Sequence, residues 1–110
     1  WVNVALGSDN VRDPFQPMGN YDLLWQANVA VHAASFAMPD EQRAALEMIT
    51  SAPAKILGLR GYGLEVGAQA DLVVVDAGMS EEALSLIPPR LRVYKAGKLV
   101  YREEVSRAWI

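Results

Sequence analysis

The 110 residues contain no cysteine. That excludes a disulfide framework, a cysteine-based zinc site and a thiol nucleophile. It fits a reducing compartment, and a cytoplasmic location is expected. Histidine is nearly absent as well, with His32 alone, so a histidine-rich metal site cannot be assembled from these residues. Long hydrophobic runs are missing: stretches such as Leu72–Val75 fall far short of the ~20 residues a membrane span requires. Basic charge is not in excess, with 10 Lys and Arg against 13 Asp and Glu and a formal net charge of −3. No basic patch stands out, so neither a nucleic acid nor a membrane is an expected partner. Trp1-Val2-Asn3-Val4 has no basic leader and no cleavage site. The chain begins without methionine, directly on a strand-like pattern, which points to truncation or processing.

What is present is apolar. The hydrophobic fraction is 52%, enough to bury a core and to exclude disorder. Residues 1–7 read as a strand buried on both faces, as in parallel sheets and barrels. A polar loop follows, with Pro14 and Pro17 excluding regular structure. Residues 21–37 predict a helix capped by Asn20. Its stripe is Leu23, Leu24, Ala27, Val31, Ala34 and Met38, and Trp25, Val29 and Phe36 make it apolar almost all round. Two shorter helices are expected at about 40–50 and 53–57, the second with Pro53 in its first turn and Gly58 as its stop. Beyond a glycine-punctuated stretch, Ala70–Asp76 predicts a strand. Residues 80–87 predict a short helix with Ser80 as N-cap, halted by Pro88-Pro89. Leu91–Lys95 and Lys98–Arg102 predict a hairpin around Ala96-Gly97.

Few residues carry chemistry. Asp9 follows Gly7-Ser8 at the carboxyl end of the first apolar run, where parallel α/β folds place their catalytic groups. A carboxylate there binds a metal or moves a proton; on spacing alone an Asx-turn or helix-cap role is the commoner one. His32, amid Val31 and Ala33, is more often a hydrogen-bonded core histidine than a ligand. Nothing brings Ser8, Asp9 and His32 together as a triad. Gly61-Tyr62-Gly63 lacks the rest of a phosphate-binding loop. Trp1, Trp25 and Trp109 are expected to be packing aromatics, and Arg102, Glu103 and Glu104 a solvated terminal face.

Two stretches resemble the amidohydrolase superfamily. Thr50–Leu59 with Gly63–Asp76 is similar to the segment where a last barrel helix passes to a small β-sandwich, and Val93–Val100 resembles that sandwich's closing hairpin. Gly7-Ser8-Asp9-Asn10-Val11-Arg12-Asp13-Pro14-Phe15 is similar to the loop after the eighth barrel strand in cytosine deaminases and in hydrolases that remove amines from triazine rings. The resemblance implies that Asp9 is catalytic, both metal ligand and proton shuttle, and that Asn10 and Phe15 bind substrate. It implies a divalent metal, Zn or Fe, which lowers the pKa of a bound water to about 7. Cytosine deaminases carry a second aspartate where Asn10 stands and a tryptophan where Phe15 stands, so the identity of the ring is left open.

The expected fold class is therefore α/β: the last strand and closing helices of a TIM-type barrel over residues 1–58, then the C-terminal part of a small β-sandwich over residues 59–110, incomplete as it stands. The expected function is hydrolysis of the C–N bond of a small nitrogen heterocycle by a full-length parent, the fragment alone being inactive and binding no metal tightly. Expected partners are the small-molecule heterocyclic substrate and either the remainder of the parent chain or further copies in a homo-oligomer. Alternatives are a cyclic amidase of the hydantoinase or dihydroorotase type, and a non-enzymatic assembly module.

Overall fold

A computed structural model describes residues 2–110. Four helices and three strands follow in the order α1 (Leu23–Ala34), α2 (Pro39–Glu47), α3 (Ser51–Ile56), β1 (Leu72–Val75), α4 (Ser80–Leu86), β2 (Arg90–Lys95) and β3 (Lys98–Arg102). The chain is α/β in class, with one antiparallel sheet ordered β1-β2-β3.

Residues 2–7 are not a strand, and this corrects the expectation for residues 1–7, of which Trp1 lies outside the described residues. Apolar composition sets a preference for extended backbone, but a strand also needs a neighbour to take its N–H and C=O groups. Here the partners are helix ends: the Leu6 N–H donates to the Met48 carbonyl at 2.8 Å, and Asn3 Nδ2 donates to the Ala52 carbonyl at 3.1 Å. Burial on both faces is not met either, for Val2 is 90% and Val4 46% exposed.

Helix α1 starts two residues later than predicted. Asp22, not Asn20, is its cap: Asp22 Oδ1 accepts from the Leu24 N–H at 2.9 Å and the Trp25 N–H at 3.4 Å, satisfying donors the first turn leaves free. Asn20 instead accepts from the Asp22 N–H, and Arg90 pairs with the Asp22 carboxylate. The helix ends at Ala34 in a Schellman motif, with Ser35 left-handed at φ 55° and hydrogen bonds from Ser35 to His32 and from Phe36 to Val31. Helix α3 closes the same way with glycine: Gly58 at φ 67° donates to Lys55, and Leu59 to Ala54. Ser80 is the first residue of α4 rather than its cap, which is Met79. Its hydroxyl bonds Glu81, while the Glu82 carboxylate accepts from the Gly78 N–H at 2.6 Å.

The hairpin is where the sequence places it. Ala96 at φ 48° and Gly97 at φ 74° are both left-handed, the condition for a two-residue type I′ turn. Arg92 pairs with Arg102 and Lys95 with Lys98 across it. On the other side β1 runs antiparallel to β2, Leu72 opposite Tyr94 and Val75 opposite Arg90. Asp71 ties the turn to β1: its carboxylate accepts from the Ala96 N–H at 2.7 Å and pairs with Lys95.

The core lies between α1, α2 and α4, around Leu24, Ala27, Ala45 and Leu84. Asn28 Nδ2 on α1 donates to the Leu84 carbonyl. Helix α1 buries only this narrow stripe; Trp25, Val29 and Leu23 stay between 37% and 40% exposed, so the expectation of a helix covered on most sides is not met. Of the tryptophans expected to pack, Trp25 is half-exposed and Trp109 fully exposed, while Trp1 is outside the described residues. The accessible surface is 8551 Å², against about 6,000 Å² for a folded monomer of this mass, and the radius of gyration is 15.3 Å against about 13 Å.

Candidate active-site loop

Residues 7–22 form one loop leading into α1, and Val11 pins it. Val11 is 6% exposed, its carbonyl accepts from the Tyr21 hydroxyl at 3.4 Å, and a side chain at Gly19 would meet its methyl groups. Asp13 builds the loop's tip as an Asx-turn: its Oδ1 accepts from the Phe15 and Gln16 N–H groups, both at 2.9 Å, and its own N–H reaches the Gln16 carbonyl. The turn and cap duties of this stretch thus fall to Asp13 and Asp22. Asp9 stands at φ 51°, a left-handed conformation that aspartate tolerates better than most residues, with its side chain exposed.

Asn10 faces a hollow of about 270 Å³ between the loop and α1. Asp9 and Phe15 do not line it; Phe15 projects outward, 86% exposed. The three residues singled out in the sequence therefore share a loop without converging on one cavity. Trp25, Gln26 and Val29 complete the hollow from the helix side. None of the three was singled out for this role. The available signal was the surplus of apolar residues off the α1 stripe, since Trp25 and Val29, four apart, share a face.

His32 corrects another expectation. It is exposed rather than buried, because it sits 100° around the helix from Val31 and the core takes only the Val31 side. It lines a separate hollow with Gln42, Glu81 and Ser85. The Ser80 hydroxyl holds the Glu81 carboxyl below its usual range, helped by the Glu81 backbone N–H and by Arg43. Among the described residues no group of three or more His, Cys, Asp or Glu could hold a metal ion. Asp9 offers one carboxylate, whereas a catalytic zinc takes three protein ligands, so these residues by themselves do not build the implied metal site.

A profile of the amidohydrolase family matches residues 2–101. The chain belongs to the amidohydrolase family. N-isopropylammelide isopropyl amidohydrolase of Pseudomonas sp. strain ADP is 34% identical over 105 residues, which make up 94% of this chain and 26% of the relative. Among solved amidohydrolase structures, N-isopropylammelide isopropylaminohydrolase of Burkholderia multivorans overlays with a TM-score of 0.88 at 40% identity, over 92% of this chain and 26% of its own. The 5-methylcytosine deaminase of Klebsiella pneumoniae, liganded with 5-fluorocytosine, overlays with a TM-score of 0.90 at 28% identity, over 99% of this chain and 27% of its own. The chain thus spans about a quarter of the amidohydrolases it matches. No helix among the described residues is long and apolar enough to cross a membrane.

Proposed function

We propose that these residues are the C-terminal part of a metal-dependent amidohydrolase that cleaves an exocyclic C–N bond of a small nitrogen heterocycle, with Asp9 as proton carrier and as one ligand of the metal. The observation that carries this is the 40% identity, over 92% of the chain, to an N-isopropylammelide isopropylaminohydrolase. The release of turn and cap duties to Asp13 and Asp22 supports it, since it leaves the Asp9 carboxylate uncommitted. A Zn or Fe ion held by Asp9 together with ligands outside these residues would supply a water acidic enough to ionise at neutral pH. The Asp9 carboxylate would accept one proton from that water and return it to the departing amine nitrogen. Asn10 would donate and accept hydrogen bonds at the ring edge, and Phe15, exposed at the loop's tip, is the aromatic that the resemblance assigns to the substrate.

In this proposal residues 1–58 finish a TIM-type barrel and residues 59–110 belong to a small β-sandwich, the two joined through Leu84. The surplus of exposed apolar surface supports a covering partner, either the rest of a longer chain or further copies of this one. The remaining ligands of the metal lie outside these residues, and the location is cytoplasmic.

The test uses the full-length protein and a panel of aminated pyrimidines and triazines. Amine release is expected, and Asp9→Asn should lower kcat about 100-fold or more with little change in the denaturation curve. Near-normal kcat in that variant, or no amine released from any ring, would overturn the proposal.

A further inference from the structure

Loop 7–22 holds two non-glycine residues in left-handed backbone, Asp9 at φ 51° and Arg12 at φ 53°. Such conformations persist only where the surroundings over-determine them, so the shape that presents Asp9 depends on how the loop's ends are held. The near end is fixed by the Leu6 N–H on the Met48 carbonyl at 2.8 Å. The far end is Asp22, and Arg90 at the start of β2 reaches it. Asp22 Oδ1 accepts from Arg90 Nη2 as well as from the two capping N–H groups, while Arg90 Nη1 donates to the Pro88 carbonyl at 3.3 Å. The guanidinium thus spans from the lead-in of its own strand to the base of the loop. The two side chains are 27% and 25% exposed, so solvent screens this pair less than one at the open surface.

The helix cap itself has no need of a cation, for asparagine and serine cap as well as aspartate does. What the arginine adds is direction. A planar guanidinium with one nitrogen tied to Pro88 admits the carboxylate over a narrow range of positions. Tyr21 adjoins Asp22 in the chain, its hydroxyl donates to the Val11 carbonyl at 3.4 Å, and Val11 lies between the left-handed Asp9 and Arg12. Resting on the role proposed for Asp9, we infer that Arg90 is a positioning residue: through Asp22, Tyr21 and Val11 it holds the loop in the shape that presents the Asp9 carboxylate. The sheet, which supplies none of the groups proposed to react, then governs where one of them stands.

The test uses the full-length protein, with amide exchange, amine release and thermal unfolding read on the same variants. In Arg90→Gln the Arg12 and Asp13 N–H groups, which bond within the loop to Met18 and Gln16, should exchange faster while those of β2 and β3 keep their rates. Its kcat should fall about tenfold or more, the cost of a misplaced reacting group, with KM changed less. Arg90→Lys keeps the charge without the fork and should restore part of kcat. Asp22→Asn keeps a capping oxygen and gives up the charge that Arg90 meets, so it should match Arg90→Gln, and the double variant should be no worse than either single one. Arg43→Gln, which breaks the pair between α2 and Glu81 of α4, should leave kcat and the loop's exchange unchanged. Unaltered loop exchange in Arg90→Gln, losses of kcat that add in the double variant, or faster exchange throughout the core with kcat falling only as the folded fraction falls would each overturn the inference. Absence of amine release by the unsubstituted protein, with the loop's exchange still answering to Arg90, would overturn the role of Asp9 and leave the hold of Arg90 on the loop standing.

Discussion

The β2–β3 hairpin and the segment 2–7 both carry residues that favour strands, yet they solve the same backbone problem in opposite ways. The hairpin carries its partner two residues away, so its N–H and C=O groups meet their own strand across Ala96-Gly97. The segment has no neighbouring strand and fastens itself through Leu6 to the end of α2 and through Asn3 to α3. One region is self-sufficient in hydrogen bonds, and the other borrows them from elements more than 40 residues away. A strand is a property of a pair, and what the difference teaches is that extended apolar backbone becomes sheet only where a second chain segment is at hand. The loop that carries Asp9 hangs from the dependent region, so the chemistry proposed for Asp9 would be attached to the part of the molecule whose placement relies most on its surroundings.

Three changes test this contrast. The largest effect is expected at Leu84, 2% exposed and central to the helical core. Leu84→Ala should cost about 2–5 kcal/mol, read from chemical denaturation. Amide exchange should then show the Leu6 N–H losing protection before those of β2. Equal loss at both sites would merge the two regions into one cooperative unit. A smaller effect of opposite sign is expected at Ala96, whose left-handed φ of 48° costs a non-glycine residue about 1 kcal/mol. Ala96→Gly should stabilise the hairpin by about that amount without altering the exchange of Leu6; a loss of stability would show that the alanine methyl contributes more than its backbone costs. The smallest effect concerns acid. The Lys95 ammonium and then the Ala96 N–H hold the Asp71 carboxyl below its usual range. A folded-state value below the unfolded value of about 3.9 means that its contribution is full above that pH and is lost as pH falls through the lower folded value. The Ala96 amide resonance should therefore move only below about pH 4, and Asp71→Asn should flatten that titration. A midpoint at or above pH 4 would contradict the anchoring role.

How far such features could be seen in advance follows from their range. Ala96-Gly97 between two alternating runs, and Gly58 after a short helix, are local signals, and both elements stand where those residues put them. Asn20 and Ser80 were plausible caps by type. The choice between Asn20 and Asp22 was settled by Arg90, 68 residues away, which pairs with Asp22 and which no local pattern reveals. Ser35 closes α1 in a conformation usually left to glycine, supported by Phe36 packing toward Val31 and the core, so its stop was invisible to residue preference. His32 looked buried because its neighbours are apolar, but burial is decided by which face of α1 meets α2 and α4. For the candidate site, the Asp9 loop was legible as a motif and by resemblance, whereas Gln26 and Trp25 were not, because they join that loop only after α1 folds back beside it.

The link from Asp71 to Ala96 can also be described as a ring. Its two ends are 25 residues apart in the chain, and joining the ends of a flexible segment of that length costs about 3 kcal/mol of conformational entropy. The exposed hydrogen bond to Ala96 does not offset that, and the exposed pair with Lys95 adds little. The shortfall is met along β1, where Leu72 sits opposite Tyr94 and Val73 opposite Val93. The carboxylate is in this sense a latch on a door that the strand pairing keeps closed: it fixes the register at which β1 meets β2, while the β1–β2 backbone ladder holds the two together.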